Sequence, residues 1–292
     1  MLGLKGSMVA MATPFKNGAL DEAAFATHAK FLVDNGTSVL VPMGTTGESV
    51  TCTDAEQARA IRIAVENKGR AIVLGGAGSN DTRHAIHLVE GARDAGADGT
   101  LIVTPYYNRP TQDGLVAHYK AIAKAHPGFP IVAYNVPSRT GTDLLAETCA
   151  RLCEIPEVVG LKEATGNMAR AVDIFEKCGD RLQLISGDDF TIAPFIACGG
   201  MGVISVSANI APRLVADLCA AALAGKRELA RDLQVKLNPL HRALFSEASP
   251  TPVKAALNLM GRFTDEIRLP LLPMTEGPKA KLREAMKQLG IL

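Results

Sequence analysis

The chain has 292 residues, with 31 Lys and Arg against 30 Asp and Glu, 47% hydrophobic residues and 4% aromatics. That hydrophobic share excludes intrinsic disorder, and 27 Gly and 16 Pro without a strict repeat exclude collagen-like or low-complexity material. A net charge of +1 and the lack of Trp leave no footprint for nucleic acid or an anionic membrane surface.

In chain order, eight short apolar runs predict strands: Met8–Met11, Val39–Val41, Ala71–Leu74, Thr100–Val103, Ile131–Ala133, Val158–Leu161, Leu182–Ile185 and Val203–Val206. None alternates, as expected of parallel strands covered on both faces, and each is followed closely by Gly, Pro, Thr or Ser. Helical periodicity fills the gaps. Thr53-Asp-Ala-Glu56 reads as a capping box ahead of Ile61, Ala64 and Val65. Ala85, Leu88, Val89 and Ala92 mark a helix after the third strand, and Pro212 opens one carrying Leu214, Val215 and Leu218. Eight strand–helix units over roughly 225 residues predict an α/β fold, the (β/α)8 TIM barrel. Beyond about Gly225 the alternation stops. Helices are expected near Lys226–Phe245, Pro252–Met260 with Thr251 as cap, and Pro278–Leu289. The expected division is a catalytic barrel over 1–224 and an all-helical C-terminal extension over 225–292. A doubly wound sheet is the alternative, but Gly76-Ala77-Gly78 lacks the third glycine of a dinucleotide fingerprint and no phosphate loop occurs.

Six cysteines at 52, 149, 153, 178, 198 and 219 form no Cys-x-x-Cys pair and read as buried small hydrophobes of a cytoplasmic protein. No apolar run approaches the ~18 residues of a membrane span, and no signal peptide is read at the start.

In a (β/α)8 barrel, chemistry sits at the C-terminal ends of the strands. Four strand ends here are chemically odd. Lys162 ends the sixth, where a buried ammonium must reach solvent, find a counter-ion or be used, because desolvation favours the neutral amine that Schiff-base chemistry needs. Strand alternation sends Glu163 to the opposite face. Position alone leaves both structural ion pairing and catalysis open. After the second strand, Gly44-Thr45-Thr46-Gly47-Glu48-Ser49 offers hydroxyls and free N–H groups to a carboxylate, or is an ordinary turn capped by Ser49 or Thr51. After the fifth come Tyr134, able to shuttle protons, and Arg139, able to clamp a carboxylate. After the fourth come Tyr106 and Tyr107, two of the four tyrosines, readable also as an interface patch.

The GTTGE loop, the Tyr-Asn-x-Pro segment, the lysine on strand six, the double threonine and Arg139 in YNVPSRTG together resemble the dihydrodipicolinate synthase family. This is a branch of the pyruvate-dependent class I aldolases, and the resemblance covers essentially the whole chain. It implies that Lys162 forms a Schiff base with pyruvate, with Tyr134, Thr46 and Tyr107 as a proton relay, Tyr107 reaching into a neighbouring subunit. It further implies that Thr45 and Thr46 hold the pyruvate carboxylate, that Arg139 holds that of L-aspartate 4-semialdehyde, and that the Ile204 carbonyl lies near the lysine. Condensation then gives 4-hydroxytetrahydrodipicolinate, on the route to diaminopimelate and lysine, with no metal or organic cofactor. The implied partners are the two substrates and further copies of the chain, as a homotetramer built from two dimers. A candidate allosteric lysine site maps to Ser49, Asn80, His84 and Tyr106. His84 replaces the family's carboxylate there, and Asp54 and Gln57 stand where lysine-sensitive members carry histidines, so weak or absent inhibition is expected. Three other readings stand beside it: a related pyruvate aldolase acting on a sialic acid or sugar acid, a silent barrel that only binds, and a metal hydrolase using His84-x-x-His87, which falls on a helix.

Overall fold

The computed structural model describes residues 2–292. Eight parallel strands close into a barrel: β1 (Gly6–Ala10), β2 (Val39–Val41), β3 (Ile72–Gly76), β4 (Gly99–Val103), β5 (Ile131–Asn135), β6 (Val158–Glu163), β7 (Gln183–Ser186) and β8 (Gly202–Ser205). Closure comes from β1, which pairs with β2 through Met8↔Val39 and with β8 through Gly6↔Gly202. The principal helices alternating with them are α1 (Glu22–Asp34), α2 (Asp54–Glu66), α3 (Thr82–Asp94), α4 (Gln112–Ala125), α5 (Ala146–Leu152), α6 (Met168–Cys178), α7 (Ile192–Ala197) and α8 (Pro212–Leu223), with a single helical turn, Pro137–Thr140, after the fifth strand. The chain finishes with α9 (Arg227–Leu244), α10 (Thr251–Leu259) and α11 (Glu276–Gln288).

The strands lie where apolar runs predicted them, with shifted ends. β5 and β6 each run two residues further, because the parallel ladder continues through Tyr134↔Lys162 and Asn135↔Glu163. The polar strand-end residues are therefore held by pairing rather than released into loops. The Thr53–Glu56 capping box forms, and Pro212 opens α8. Thr251 is the first residue of α10 rather than its cap, since its hydroxyl donates to the Leu272 carbonyl at 3.3 Å. α11 starts two residues before Pro278, which the first turn tolerates because its N–H would be unpaired anyway. The expectation of buried cysteines holds for Cys149, Cys178 and Cys219. Cys198, at the end of α7, is exposed.

A two-stranded hairpin, Phe15–Lys16 with Ala19–Leu20, was not foreseen. Its signal was present: Asn17-Gly18 has positive φ at both residues, +55° and +81°, the requirement of a tight hairpin turn.

Packing forms two kinds of core. The barrel lumen is filled by Met8, Val39, Leu74, Leu101, Val132, Ile185 and Ile204, with Tyr134 at its upper end. Outside, strands and helices share larger clusters, and one of these runs without a break from Val9 and Phe25 through Leu237, Leu240, Val253 and Leu257 to Met286. The C-terminal helices thus complete the barrel's own core.

Burial carries a pH consequence. His28 on α1 is enclosed, with Nε2 3.0 Å from Asn209 Oδ1, and burial pushes its pKa down to about 4 against the partial support of that hydrogen bond. Burial does the same to His118 on α4. An unfolded histidine titrates near 6.5, so protons bind the unfolded chain preferentially. The stability these neutral rings allow is complete above that pH and falls as pH drops towards 4. Urea unfolding at pH 7 and at pH 4.5 should therefore show a loss of a few kcal/mol, about 1.4 per pKa unit and site at most. Equal stabilities that are also unchanged in His28→Gln would contradict this.

Candidate active site

β5 and β6 put Tyr134 and Lys162 in register, and the Lys162 Nζ stands 4.1 Å from the centre of the Tyr134 ring. Lys162 is only 6% exposed. Among the described residues it has neither a salt bridge nor a side-chain hydrogen bond. Structural ion pairing is thereby excluded as the reason for its burial.

Glu163 points outward, as alternation requires, and is fully engaged. It accepts from Asn135 Nδ2 at 2.9 Å, Arg170 Nε at 3.0 Å and the Thr165 N–H at 2.8 Å. Arg170 also pairs with Asp143 at 3.0 Å, and Asn135 Oδ1 accepts from the Leu144 N–H. This buried network locks the ends of β5 and β6 together, and with them the placing of Tyr134 and Lys162. Room for the lysine is made by Gly187 after β7, where a Cβ would lie 2.9 Å from Lys162 Cε.

The Gly44–Ser49 loop is compressed against β3. Backbone bonds Gly47 N–H to Gly44 O and Glu48 N–H to Thr45 O close it, and Thr13 Oγ1 donates to the Gly47 carbonyl at 2.8 Å. Non-glycine residues at both ends take left-handed backbone, Met43 with φ +58° and Glu48 with φ +57°. Gly76 is where the loop crosses β3: a Cβ there would sit 1.8 Å from the Met43 carbonyl oxygen.

Above these elements lies a cavity of about 540 Å³ whose walls include Thr45, Tyr106, Tyr107, Arg109, Tyr134 and Arg139. Its lining contains two arginines and no acidic residue, a field suited to anionic substrates. Thr46, Lys162 and Ile204 lie outside the lining and are buried. The Tyr134 ring lines the cavity and also lies against the Lys162 Nζ. Tyr134 and Thr46, both assigned to the implied proton relay, are not hydrogen-bonded to each other: neither hydroxyl has a protein hydrogen-bond partner among the described residues. They come from β5 and from the loop after β2, strands separated by two others, so the ladder does not press them together. Tyr107 is 88% exposed with φ +72°, its N–H donating to the Thr140 carbonyl. Arg109, with φ +48°, was not singled out from the sequence. The dense Tyr-Tyr-Asn-Arg-Pro string was its only signal.

Next to the large cavity is a smaller one of about 130 Å³, walled by Ser49, Asp54, Gln57, Ser79, His84 and Tyr106 among others. Three of the four candidate lysine-site residues meet there. Asn80 does not line it, although its carbonyl accepts from Asn108 Nδ2 at 2.9 Å. A carboxylate is present after all, since Asp54 lies 3.1 Å from His84 Nε2 and 3.6 Å from His87 Nε2. No group of three or more His, Cys, Asp or Glu residues placed to hold a metal occurs among the described residues.

Against this geometry, the profile of the dihydrodipicolinate synthetase family matches residues 3–289. The chain belongs to that family. A 4-hydroxy-tetrahydrodipicolinate synthase of Nitratidesulfovibrio vulgaris strain DP4 is 51% identical over 289 residues, covering 98% of this chain and 99% of the relative. The crystal structure of the chloride-inhibited dihydrodipicolinate synthase of Acinetobacter baumannii complexed with pyruvate superposes with a TM-score of 0.97 at 43% identity, over 99% of this chain and all of that one. The family enzyme of Cyanidioschyzon merolae, solved with lysine bound, gives 0.96 at 37% identity over the full length of both.

Gly76→Ala tests the packing of the Gly44–Ser49 loop on β3. The contact with the Met43 carbonyl should place the cost at or above the upper end of the ~1 to 3 kcal/mol typical of overpacking. An unchanged urea midpoint would show that the loop is not pressed on β3 as described.

Proposed function

We infer that this chain condenses pyruvate with L-aspartate 4-semialdehyde to 4-hydroxytetrahydrodipicolinate through a Schiff base on Lys162. The observation that carries the reading is the buried Lys162 amine, without a counter-ion, next to an acid-free cavity that presents Arg109 and Arg139. The amine attacks the pyruvate keto carbon and water leaves, giving a protonated imine. That imine is an electron sink, so the methyl group loses a proton and becomes an enamine. The enamine carbon attacks the aldehyde, and the amino group of the semialdehyde then displaces Lys162 as the ring closes.

Thr45 and Thr46 are proposed to hold the pyruvate carboxylate and Arg139 that of the semialdehyde, the guanidinium suiting a bidentate clamp. Tyr134, Thr46 and Tyr107 are proposed to carry the protons. The hydroxyls of Tyr134 and Thr46, unpaired with protein, are left free for proton exchange with substrate. The Ile204 carbonyl is proposed to face the Schiff-base nitrogen. The exposure of Tyr107 fits a residue completed by a second copy, in a homotetramer built as a dimer of dimers. The barrel over 1–224 would carry the chemistry and 225–292 would brace it. No helix among the described residues is long and apolar enough to cross a membrane, and we place the enzyme in the cytoplasm.

Borohydride reduction in the presence of pyruvate, followed by peptide mass analysis, should add the reduced pyruvyl group to Lys162. An unmodified Lys162 would end the Schiff-base reading.

For regulation, the small cavity retains one carboxylate, Asp54, already facing His84 and His87. An incoming lysine ammonium must compete with two imidazoles, which supports weak or absent inhibition. Half-inhibition by lysine below about 1 mM would refute this, as it corresponds to roughly 4 kcal/mol of binding.

A further inference from the structure

A second buried lysine belongs to the C-terminal region. Lys254, on α10, is 1% exposed, and its Nζ donates to Glu48 Oε1 at 2.6 Å. Glu48 is the last residue of the GTTGE string, itself buried, and its Oε2 accepts the Arg268 backbone N–H at 3.1 Å. Both carboxylate oxygens are thus held by the C-terminal region. The Arg268 guanidinium extends the grip, donating to the Thr51 and Gly18 carbonyls at 2.8 Å each and pairing with Glu56 of α2. Phe15, at the start of the hairpin, underlies both cations, with ring-centre distances of 4.4 Å to Lys254 Nζ and 4.1 Å to Arg268 Cζ.

A buried ion pair is weak support for stability, because well-packed apolar residues of similar size often serve as well. What it supplies is one defined geometry. The Glu48 backbone needs that, being held with positive φ while its N–H closes the loop onto the Thr45 carbonyl. Fixing the Glu48 side chain from outside the barrel fixes the peptide that carries Thr45 and Thr46. We propose that Glu48 and Lys254, with the Arg268 N–H, form a latch by which the C-terminal region positions the threonine loop for the pyruvate carboxylate. Glu48 and Lys254 are positioning residues that act through Thr45 and Thr46, and the proposal rests on the carboxylate-binding role given to those threonines.

The test measures KM for each substrate, kcat and thermal midpoint in the full-length enzyme. Glu48→Gln keeps the size but turns one oxygen into an amide donor facing the Arg268 N–H. Its KM for pyruvate should rise at least tenfold, with that for the semialdehyde within about twofold. The paired variant Glu48→Leu with Lys254→Met removes both charges. Its thermal midpoint should recover relative to Lys254→Met alone while KM for pyruvate stays raised. Recovery of both would mean that the pair serves folding only and would overturn the latch. Should Lys254→Met fail to fold, Glu48→Gln still decides, and an unchanged pyruvate KM there overturns the proposal. Leu237→Ala, in the C-terminal core away from the loop, supplies a destabilised control. An equal rise in its pyruvate KM would make the effect general loosening and refute the proposal. Thr45→Val separates the underlying reading: an unchanged pyruvate KM there removes the carboxylate role and the latch with it, whereas a raised KM there with none in Glu48→Gln sinks the latch alone.

Discussion

A lysine side chain is costly to take out of water without a carboxylate partner, and the architecture of this chain is arranged around one such residue. Lys162 sits near the end of β6, buried, with its Nζ against the face of the Tyr134 ring. The ladder that joins β5 to β6 determines where it points, and the outward network of Glu163, Asn135, Asp143 and Arg170 keeps that ladder from fraying. Gly187 leaves the space the side chain needs. The absence of acidic residues from the adjoining cavity keeps the local field positive for substrates that are themselves carboxylates.

The two buried lysines show how context sets the role of one residue type. Lys254 meets a carboxylate at 2.6 Å. Burial pushes its pKa below the ordinary lysine value and Glu48 opposes that shift. Lys162 meets no carboxylate, and in the proposed function its amine is the group that forms the Schiff base. Both are enclosed, so burial alone does not separate a structural lysine from a reactive one. The distinction lies in what the rest of the fold brings within hydrogen-bond reach.

The C-terminal region acquires a meaning in the same way. Its helices share one apolar cluster with the barrel, and its polar residues reach the loop after β2, the hairpin and the start of α2. A helical appendage whose sequence suggests no more than packing therefore touches the element proposed to bind the first substrate.

Much of this was legible in the residues. Non-alternating apolar runs, a capping box and Pro212 set out the strand–helix rhythm because periodicity and capping are local properties. Lys162, Tyr134, Thr45, Thr46 and Arg139 stood out as polar groups at the ends of apolar strands. Lys254 carried the same oddity, an isolated cation in Pro-Val-Lys-Ala-Ala-Leu, yet its partner Glu48 is 206 residues away and no local pattern connects them. Nor did any pattern show that Asp54 faces His84 and His87, that the Tyr134 and Thr46 hydroxyls remain apart, or that Arg109 turns into the cavity beside Arg139. By itself the sequence determined the units of the barrel and the candidate groups at its mouth, since each depends on neighbours a few residues off. Which of those groups meet, and which stay unpaired, was decided only when barrel closure brought distant strand ends into one place, because hydrogen bonds and ion pairs act over a few ångströms of space regardless of separation along the chain.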